Sequence, residues 1–177
     1  MIARSDVLTN PYFAGQVRRY HTWPVLQQQT VGEHTWQVLR IYDTVWGPIP
    51  PHVTRFILWH DAGELVTGDV PFPMKQRNPA LREAMAAADE LALQGMRAPK
   101  CSWLTTVEQL RAKAADLCEM WQFGLVERAL GNTLAQPIID DISEALQQLL
   151  AERIEDWAAM RNYRIIVEEK FPCIVSK

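Results

Sequence analysis

The spacing of apolar residues along the chain is mainly helical. From Thr30, the stretch TVGEHTWQVLRIYDTVW places apolar side chains at intervals of three and four residues, typical of a helix with one buried face. Thr30 followed by Glu33 is a capping-box pattern, which predicts that this helix begins just before His34. The Gly- and Pro-rich segment 47–51 predicts that it ends there.

Four further helices are predicted by the same reasoning. A second helix covers 53–66 and ends at Gly68, a residue suited to a left-handed cap. Pro71 and Pro73 then predict a loop over VPFPMKQRNP rather than regular helix. The other three helices are predicted at about 80–96, from Thr105 (with a capping box to Glu108) to Gly131, and from about Pro137 to beyond Trp157.

The organisation of the chain predicts one all-α domain over residues 1–177. β-branched runs occur only at 164–167 and 173–175, which is too little for a sheet. No internal repeat, low-complexity tract or break in composition marks a second domain. A chain of 177 residues with 48% hydrophobic residues can bury one sizeable core.

Charge and cysteine content exclude several classes of protein. A formal net charge of −3 gives no bulk attraction to nucleic acid or to an anionic membrane, so we expect neither as a stable partner. None of the cysteines, Cys101, Cys118 and Cys173, forms a C-x-x-C pair, which disfavours a disulfide framework and a thiolate zinc site. No signal-peptide pattern and no apolar segment of membrane-spanning length is present, so we expect a cytoplasmic location.

The stretch WHDAGELVTGDVP at 59–71 places a cluster of polar groups inside an apolar run. Its His60–Asp61 pair, His34 in the first turn of its helix, and Asp116 in KAADLCEMW lie on three predicted helices. Singly, such histidines are more often hydrogen-bonded residues than ligands, and such aspartates are more often solvated. Together, two imidazoles and two carboxylates suit one divalent transition metal: Zn, Mn, Co, Fe or Ni.

This pattern resembles that of the HD-domain phosphohydrolases. Within them, the segments 59–75 and 113–121 resemble the small 5'-deoxynucleotidases and the phage deoxynucleotide triphosphohydrolases, including dATP-specific ones. Every fixed position of HD-x-x-E-x-x-x-G-D-x-P-x-P-x-K is present, and the resemblance spans roughly residues 15–130. It implies a helical bundle with the metal site between central helices, in the cytosol of a bacterium or a phage-infected host.

The resemblance also implies a role for each motif residue. The metal ligands would be His34, His60, Asp61 and Asp116, and further Mg or Mn ions could accompany the phosphates. Glu64, one helical turn beyond His60, would orient or deprotonate the attacking water. Asp69 would steer that water or help the 5'-oxygen to leave. The alternative for Glu64 is a surface residue in the last turn of a helix. The alternative for Asp69 is a loop aspartate that bonds its own backbone.

The substrate-binding residues implied by the resemblance lie in two segments. Arg19 and Lys75 would contact phosphate, for which a guanidinium is well suited. Tyr20 replaces a family tryptophan that packs on the sugar, and its hydroxyl leaves deoxyribose selectivity open. Trp23 would either share this stacking or belong to the core. The base pocket would be shaped by Thr22, Pro71 and Pro73.

The expected reaction is hydrolysis of the 5' phosphoester of a 2'-deoxynucleotide. We favour a dATP-like triphosphate, giving deoxynucleoside and triphosphate, over a monophosphate giving deoxynucleoside and phosphate. A non-catalytic nucleotide-binding module should have lost a ligand or Glu64, and none is lost. The P-x-P-x-K extension argues by resemblance against a cyclic-nucleotide or ppGpp-type hydrolase. The apolar helices and the resemblance together favour a homo-oligomer.

Overall fold

The computed structural model describes residues 7–8, 10–151 and 153–170. Most of them lie in α-helices, joined by short 3₁₀ turns and one small antiparallel ladder. The strands are β1 (Arg18–Arg19) and β2 (Gln29–Thr30). The helices are α1 (Val31–Trp46), α2 (Pro51–Trp59), α3 (Glu64–Thr67), α4 (Phe72–Arg77), α5 (Pro79–Gly95), α6 (Thr106–Ala129), α7 (Gln136–Leu150) and α8 (Ile154–Glu168). The all-α prediction is confirmed.

Both predicted capping boxes form. At the start of α1 the Thr30 hydroxyl accepts the Glu33 N–H at 3.2 Å, and the Glu33 carboxylate accepts the Thr30 N–H at 2.7 Å. Thr105 and Glu108 repeat the arrangement at the start of α6, with distances of 3.2 and 2.8 Å. Each box satisfies two backbone donors that a helix start leaves free. The two helices that carry His34 and Asp116 therefore begin at positions set by local sequence.

The helix predicted over 53–66 is wrong, because the chain leaves α2 after Trp59 and re-enters a helix only at Glu64. At the break, the His60 imidazole Nδ1 binds the Ile57 carbonyl at 2.6 Å and competes with the helical ladder. A β-carbon at Gly63 would lie 3.0 Å from the Asp89 carbonyl oxygen, so a larger residue at this position would push α5 away. Gly68 ends α3 with φ 74°, as predicted.

Two other sequence predictions are wrong. The predicted loop over 70–79 contains α4, because Pro71 precedes the helix and Pro73 lies in its first turn, where no N–H is needed. The single helix predicted from Pro137 is divided into α7 and α8. The division lets α8 fold back onto α1 and α7, a packing that a straight continuation of α7 could not make.

Helix α6 runs through the centre of the molecule, packed mainly against α7 and α1. Its buried residues lie on all sides of the helix, so even its acidic residues Asp116 and Glu119 are enclosed. Trp121, 1% exposed, and the α7 residues Ile142, Leu146 and Leu150, each 0% exposed, belong to the same core. Carboxylates enclosed in this way require partners, and those partners define the site.

The ladder of β1 and β2 was not predicted, since two-residue strands carry no readable periodicity. Arg18 pairs with Thr30 and Arg19 pairs with Gln29. Because Thr30 is also the cap of α1, the ladder ties residues 18–19 to the helix that carries His34. It therefore fixes the position of Arg19 relative to the predicted metal ligands.

The structure bears on the expectations about disulfides and about membrane-spanning helices. Cys101 and Cys118 are free thiols, the first exposed and the second buried, whereas Cys173 lies outside the described residues. In the part of the chain that the structure describes, no helix has the length and hydropathy needed to cross a bilayer.

Candidate metal centre and active site

The predicted metal ligands meet at one point. His34 comes from the first turn of α1, the pair His60–Asp61 from the turn after α2, and Asp116 from α6. The His34 Nε2 atom lies 3.3 Å from His60 Nε2, 3.2 Å from Asp116 Oδ1 and 3.4 Å from Asp61 Oδ2. His60 Nε2 lies 3.4 Å from Asp61 Oδ2 and 4.0 Å from Asp116 Oδ1. Residues far apart in sequence thus direct two nitrogens and two oxygens at one small volume.

Hydrogen bonds on the outer side of each imidazole select its tautomer. His34 Nδ1 lies 2.5 Å from Glu119 Oε2, and His60 Nδ1 lies 2.6 Å from the Ile57 carbonyl oxygen. A carbonyl or carboxylate oxygen only accepts, so each Nδ1 carries the proton. Each Nε2 then presents a lone pair towards the cluster, the arrangement of metal-binding histidines.

The charges of the cluster fit a single divalent cation. Burial and the Arg19 guanidinium lower the pKa of His34, but Glu119 and Asp116 outweigh them and raise it to about 9. Burial raises the pKa of Asp61, yet His60, Arg19 and His34 lower it to about 2. Without metal, a proton on His34 therefore balances part of the carboxylate charge. Two imidazole nitrogens and two carboxylate oxygens are a suitable donor set for a transition metal that replaces this proton.

Arg19 connects the cluster to a small polar cavity of about 90 Å³. Its NH1 group donates to Asp61 Oδ2 at 2.6 Å, and its side chain is 5% exposed. Three buried atoms of the cavity walls have no hydrogen-bond partner: Arg19 Nε, the Tyr20 hydroxyl and Glu64 Oε2. Buried polar atoms are rarely left unpaired in folded proteins, so this cavity is suited to a polar ligand.

Glu64 is buried at 5% exposure and lines this cavity with Asp61 and Asp116. The alternative of a surface glutamate in the last turn of a helix is wrong, since Glu64 begins α3. Burial, reinforced by the charge of Asp61, raises the pKa of its carboxyl to about 9. Lys75 Nζ, 4.0 Å from Glu64 Oε1, opposes this shift, as a bound cation would.

Asp69 joins the cavity wall to the backbone of Tyr20. Its Oδ2 atom accepts the Tyr20 N–H at 2.6 Å. Tyr20 has φ 57°, an uncommon conformation for a bulky residue, so the buried bond stabilises a strained position. The Tyr20 ring is 2% exposed and stacks on Phe123 at 4.6 Å with an interplanar angle of 3°.

The predicted substrate-binding residues divide into two groups. Arg19, Tyr20 and Lys75 line the polar cavity, where they are joined by Pro71 and by Lys113. Thr22, Trp23 and Pro73 do not line it. Thr22 is exposed with its hydroxyl 3.6 Å from Met74 Sδ, Trp23 packs against the core, and Pro73 is buried. The role of Thr22 and Pro73 in a base pocket, and that of Trp23 in stacking on the sugar, remain predictions.

A second cavity, of about 540 Å³, borders the same cluster. It shares Asp61, Lys113 and Asp116 with the polar cavity and also contacts His60. Its other walls are mainly apolar, with Val38, Phe56, Ile57, Leu110 and Leu149. The metal centre therefore has a small charged space and a larger apolar space beside it.

Sequence reasoning missed the two residues that support His34. Glu119 contacts the His34 ring, and Gln29 Nε2 donates to Glu119 Oε1 at 2.7 Å. The signal for Glu119 was its spacing, since it follows Asp116 by three residues and shares a face of α6 with it. For Gln29, a polar residue before a capping threonine, the sequence contains no comparable signal.

A helical bundle that brings together a histidine, a His-Asp pair and a distant aspartate is the arrangement of HD-domain proteins, and comparisons with known proteins agree. The family model described as YfbR-like 5'-deoxynucleotidase matches residues 15–99. The structure of the HD phosphohydrolase (DatZ) of cyanophage S-2L, bound to dA and one catalytic Zn²⁺ ion, is similar with a TM-score of 0.70. The two sequences are 20% identical over 90% of this chain and 95% of the phage chain. A comparison with curated protein sequences gives no significant match. The family-model match over residues 15–99 and the fold shared with the phage enzyme both support an HD-domain, metal-dependent phosphohydrolase.

Proposed function

We propose that this enzyme hydrolyses the 5' phosphoester of a 2'-deoxynucleotide. One observation carries the proposal: Asp61 and Asp116, which lie beside His34 and His60, also line a cavity with three cationic side chains and a buried glutamate. Such a site combines a place for a metal, a place for phosphate and a group that can take a proton. The match to a 5'-deoxynucleotidase family and the dA bound in the phage structure support deoxynucleotides as the substrates.

The proposed roles follow from the positions of the side chains. The four ligands His34, His60, Asp61 and Asp116 would hold a divalent cation, which when bound supplies Lewis-acid activation of the phosphoryl group and of the attacking water. Glu64 Oε2 is buried and without a partner. It would take the proton from the water once a bound cation had lowered the pKa of its carboxyl from about 9. Arg19 and Lys75 bind the phosphate oxygens as hydrogen-bond donors. Asp69 steers the water or the leaving 5'-oxygen and also holds the backbone of Tyr20.

We favour a deoxynucleoside triphosphate, with a purine such as adenine, as the substrate. Arg19, Lys75 and Lys113 line the cavity. Arg19 and Lys113 pair with Asp61 and Asp116 at 2.6 and 2.5 Å, and a metal held by these aspartates would leave both cations available to phosphate oxygens. The space that Lys113 shares with the larger cavity gives room beyond the α-phosphate. The second candidate is a deoxynucleoside monophosphate, which the description of the matching family favours. Both reactions break the same bond.

A product assay tests this proposal. The enzyme loaded with Mn²⁺, Co²⁺ or Zn²⁺ is incubated with dATP, dAMP, ATP or a cyclic nucleotide, and the products are separated by chromatography. Deoxyadenosine with inorganic triphosphate is the expected result. Deoxyadenosine and phosphate from dAMP alone would establish the second candidate. If the metal is bound and no nucleoside forms from any substrate, the proposed function is wrong.

A lysine variant tests the preference for triphosphate. K113M should lower kcat/KM for dATP by about 10- to 100-fold, the effect of losing one charge-assisted hydrogen bond, and should affect dAMP less. K170M, which removes an exposed lysine just after the end of α8, is the matched control. Equal losses on dATP and dAMP would contradict contact between Lys113 and the outer phosphates.

A further inference from the structure

The two-stranded ladder contacts the surroundings of two predicted metal ligands. Arg19 and Gln29 are directly paired across β1 and β2. From one strand, Arg19 NH1 binds Asp61 at 2.6 Å. From the other, Gln29 Nε2 binds Glu119 at 2.7 Å, and Glu119 contacts His34. The ladder thus supports Asp61 directly and His34 through one intermediate carboxylate.

Glu119 is placed to control both the tautomer and the orientation of the His34 ring. The two residues are 3% and 0% exposed, so no water competes for the bond between them. A carboxylate only accepts, which keeps the proton on Nδ1 and leaves the Nε2 lone pair free to face the cluster. Gln29 holds the other oxygen of Glu119 and prevents the carboxylate from turning away.

We propose that Glu119, held by Gln29, is the positioning residue that sets the metal affinity of the site through His34. The inference rests on the proposed function only in requiring that the cluster binds metal. A carboxylate on the outer nitrogen makes a ligating imidazole more basic and fixes its direction. Loss of such a partner typically weakens metal binding 10- to 100-fold.

Glu127 provides a matched control on the same helix. It is 1% exposed, and it accepts the backbone N–H groups of Leu26 and Gln27 at 2.7 and 2.8 Å. The Asn132 side-chain amide donates to it at 2.7 Å. It is therefore as buried and as well bonded as Glu119, but it has no contact with the four ligands. E127Q removes the same charge from the same helix away from the metal.

The experiment measures the Kd of Zn²⁺ by competition with a chromophoric chelator for the parent enzyme, E119Q and E127Q. We expect E119Q to bind about 10- to 100-fold more weakly and E127Q to match the parent. In the Co²⁺-loaded proteins, the visible absorption bands should shift in E119Q alone, because its imidazole direction is no longer fixed.

The outcomes separate this inference from the proposed function. If the parent binds no metal, the proposed function fails. If the parent and E119Q bind with equal affinity, only the role of Glu119 is overturned. If circular dichroism shows that E119Q is unfolded, the Q29M variant tests the role of Glu119 instead. It removes the amide that donates to Glu119 and leaves Glu119 and the ligands in place. A Kd at least about threefold weaker in Q29M supports the inference, and an unchanged Kd refutes it.

Discussion

The Nε2 atoms of His34 and His60 lie 3.3 Å apart, and both face the same carboxylates. With the Nδ1 atoms bound to Glu119 and to the Ile57 carbonyl, the neutral rings direct two lone pairs at each other. Such an arrangement requires a positive charge between the rings. In the metal-free protein that charge is a proton, because the pKa of His34 is raised to about 9.

Metal binding should therefore compete with this proton. Below pH 9 the metal displaces at least one proton, so its affinity should rise about tenfold per pH unit from pH 7 to 8.5. Isothermal titration calorimetry in buffers of different ionisation enthalpy counts the protons released, and chelator competition gives the affinity at each pH. An affinity that does not change over this range would contradict the assignment of the proton to the cluster.

Glu64→Gln should separate metal binding from catalysis. The amide keeps the shape of the buried side chain but cannot take a proton, so kcat should fall by about 10²- to 10⁴-fold with the metal content unchanged. The measurements are metal analysis of the purified protein and initial rates on dATP and dAMP.

Two other variants complete this test. Asp61→Ala removes a predicted ligand and should lose both the metal and the activity. E90Q, at an exposed position of α5, should retain both. An E64Q enzyme as fast as the parent would exclude Glu64 as the residue that takes the proton from water.

The space around Gly124 in α6 and Gly95 in α5 predicts opposite effects for two Gly→Ala variants. A β-carbon at Gly124 would lie 2.8 Å from Ile139 Cγ1, in the core between these helices. G124A should therefore destabilise the fold by about 1 to 3 kcal/mol through overpacking. The higher helix propensity of alanine offsets part of this cost. Gly95 has open space around it, so G95A should stabilise the protein by about 0.5 to 1 kcal/mol. Urea unfolding measures both, and a G124A variant as stable as the parent would contradict the close packing.

Asp156 should stabilise the protein at neutral pH through its two arginine partners. Its side chain, 1% exposed, accepts from Arg111 at 2.7 Å and from Arg153 at 2.9 Å. Burial raises the pKa of Asp156, but these bonds and charges lower it below its ordinary value of 3.8. The stabilisation is therefore fully present above pH 3.8 and is lost as the pH falls through the lower folded-state pKa.

Replacing Asp156 by Asn should reduce the free energy of unfolding by about 1 to 3 kcal/mol at pH 7, because the partly exposed Arg111 and Arg153 lose a buried charged acceptor. The difference from the parent should shrink as the pH falls from 3.8 through the lower folded-state pKa, because over this range Asp156 of the unfolded parent binds a proton more readily than Asp156 of the folded parent. Urea titrations at pH 7, 4 and 3 provide the comparison. A difference that stays the same at pH 3 would show that the ion pairs are not its source.

The candidate site was readable from the sequence wherever its parts lie within one turn or one motif. Capping boxes place the starts of α1 and α6, and the spacing of His60, Asp61, Glu64 and Asp69 indicates the catalytic segment. These signals are visible in the sequence because they depend on contacts between residues a few positions apart. The break of the helix at 60–63 was not predicted; there His60 Nδ1 binds the Ile57 carbonyl, and Asp89 of α5 packs against Gly63.

The sequence by itself therefore determined the fold class, the chemical identity of the predicted ligands and the type of reaction they suit. Only the tertiary structure decided what supports them. Glu119 and His34 are 85 positions apart, Gln29 and Glu119 are 90, and Arg19 and Asp61 are 42. No periodicity links such distant residues, and only the burial of α6 beside α1 and the ladder brings them together. The physical reason is that an unpaired buried charge is costly, so each buried charged group is paired with whichever polar residue the packing of the helices brings beside it.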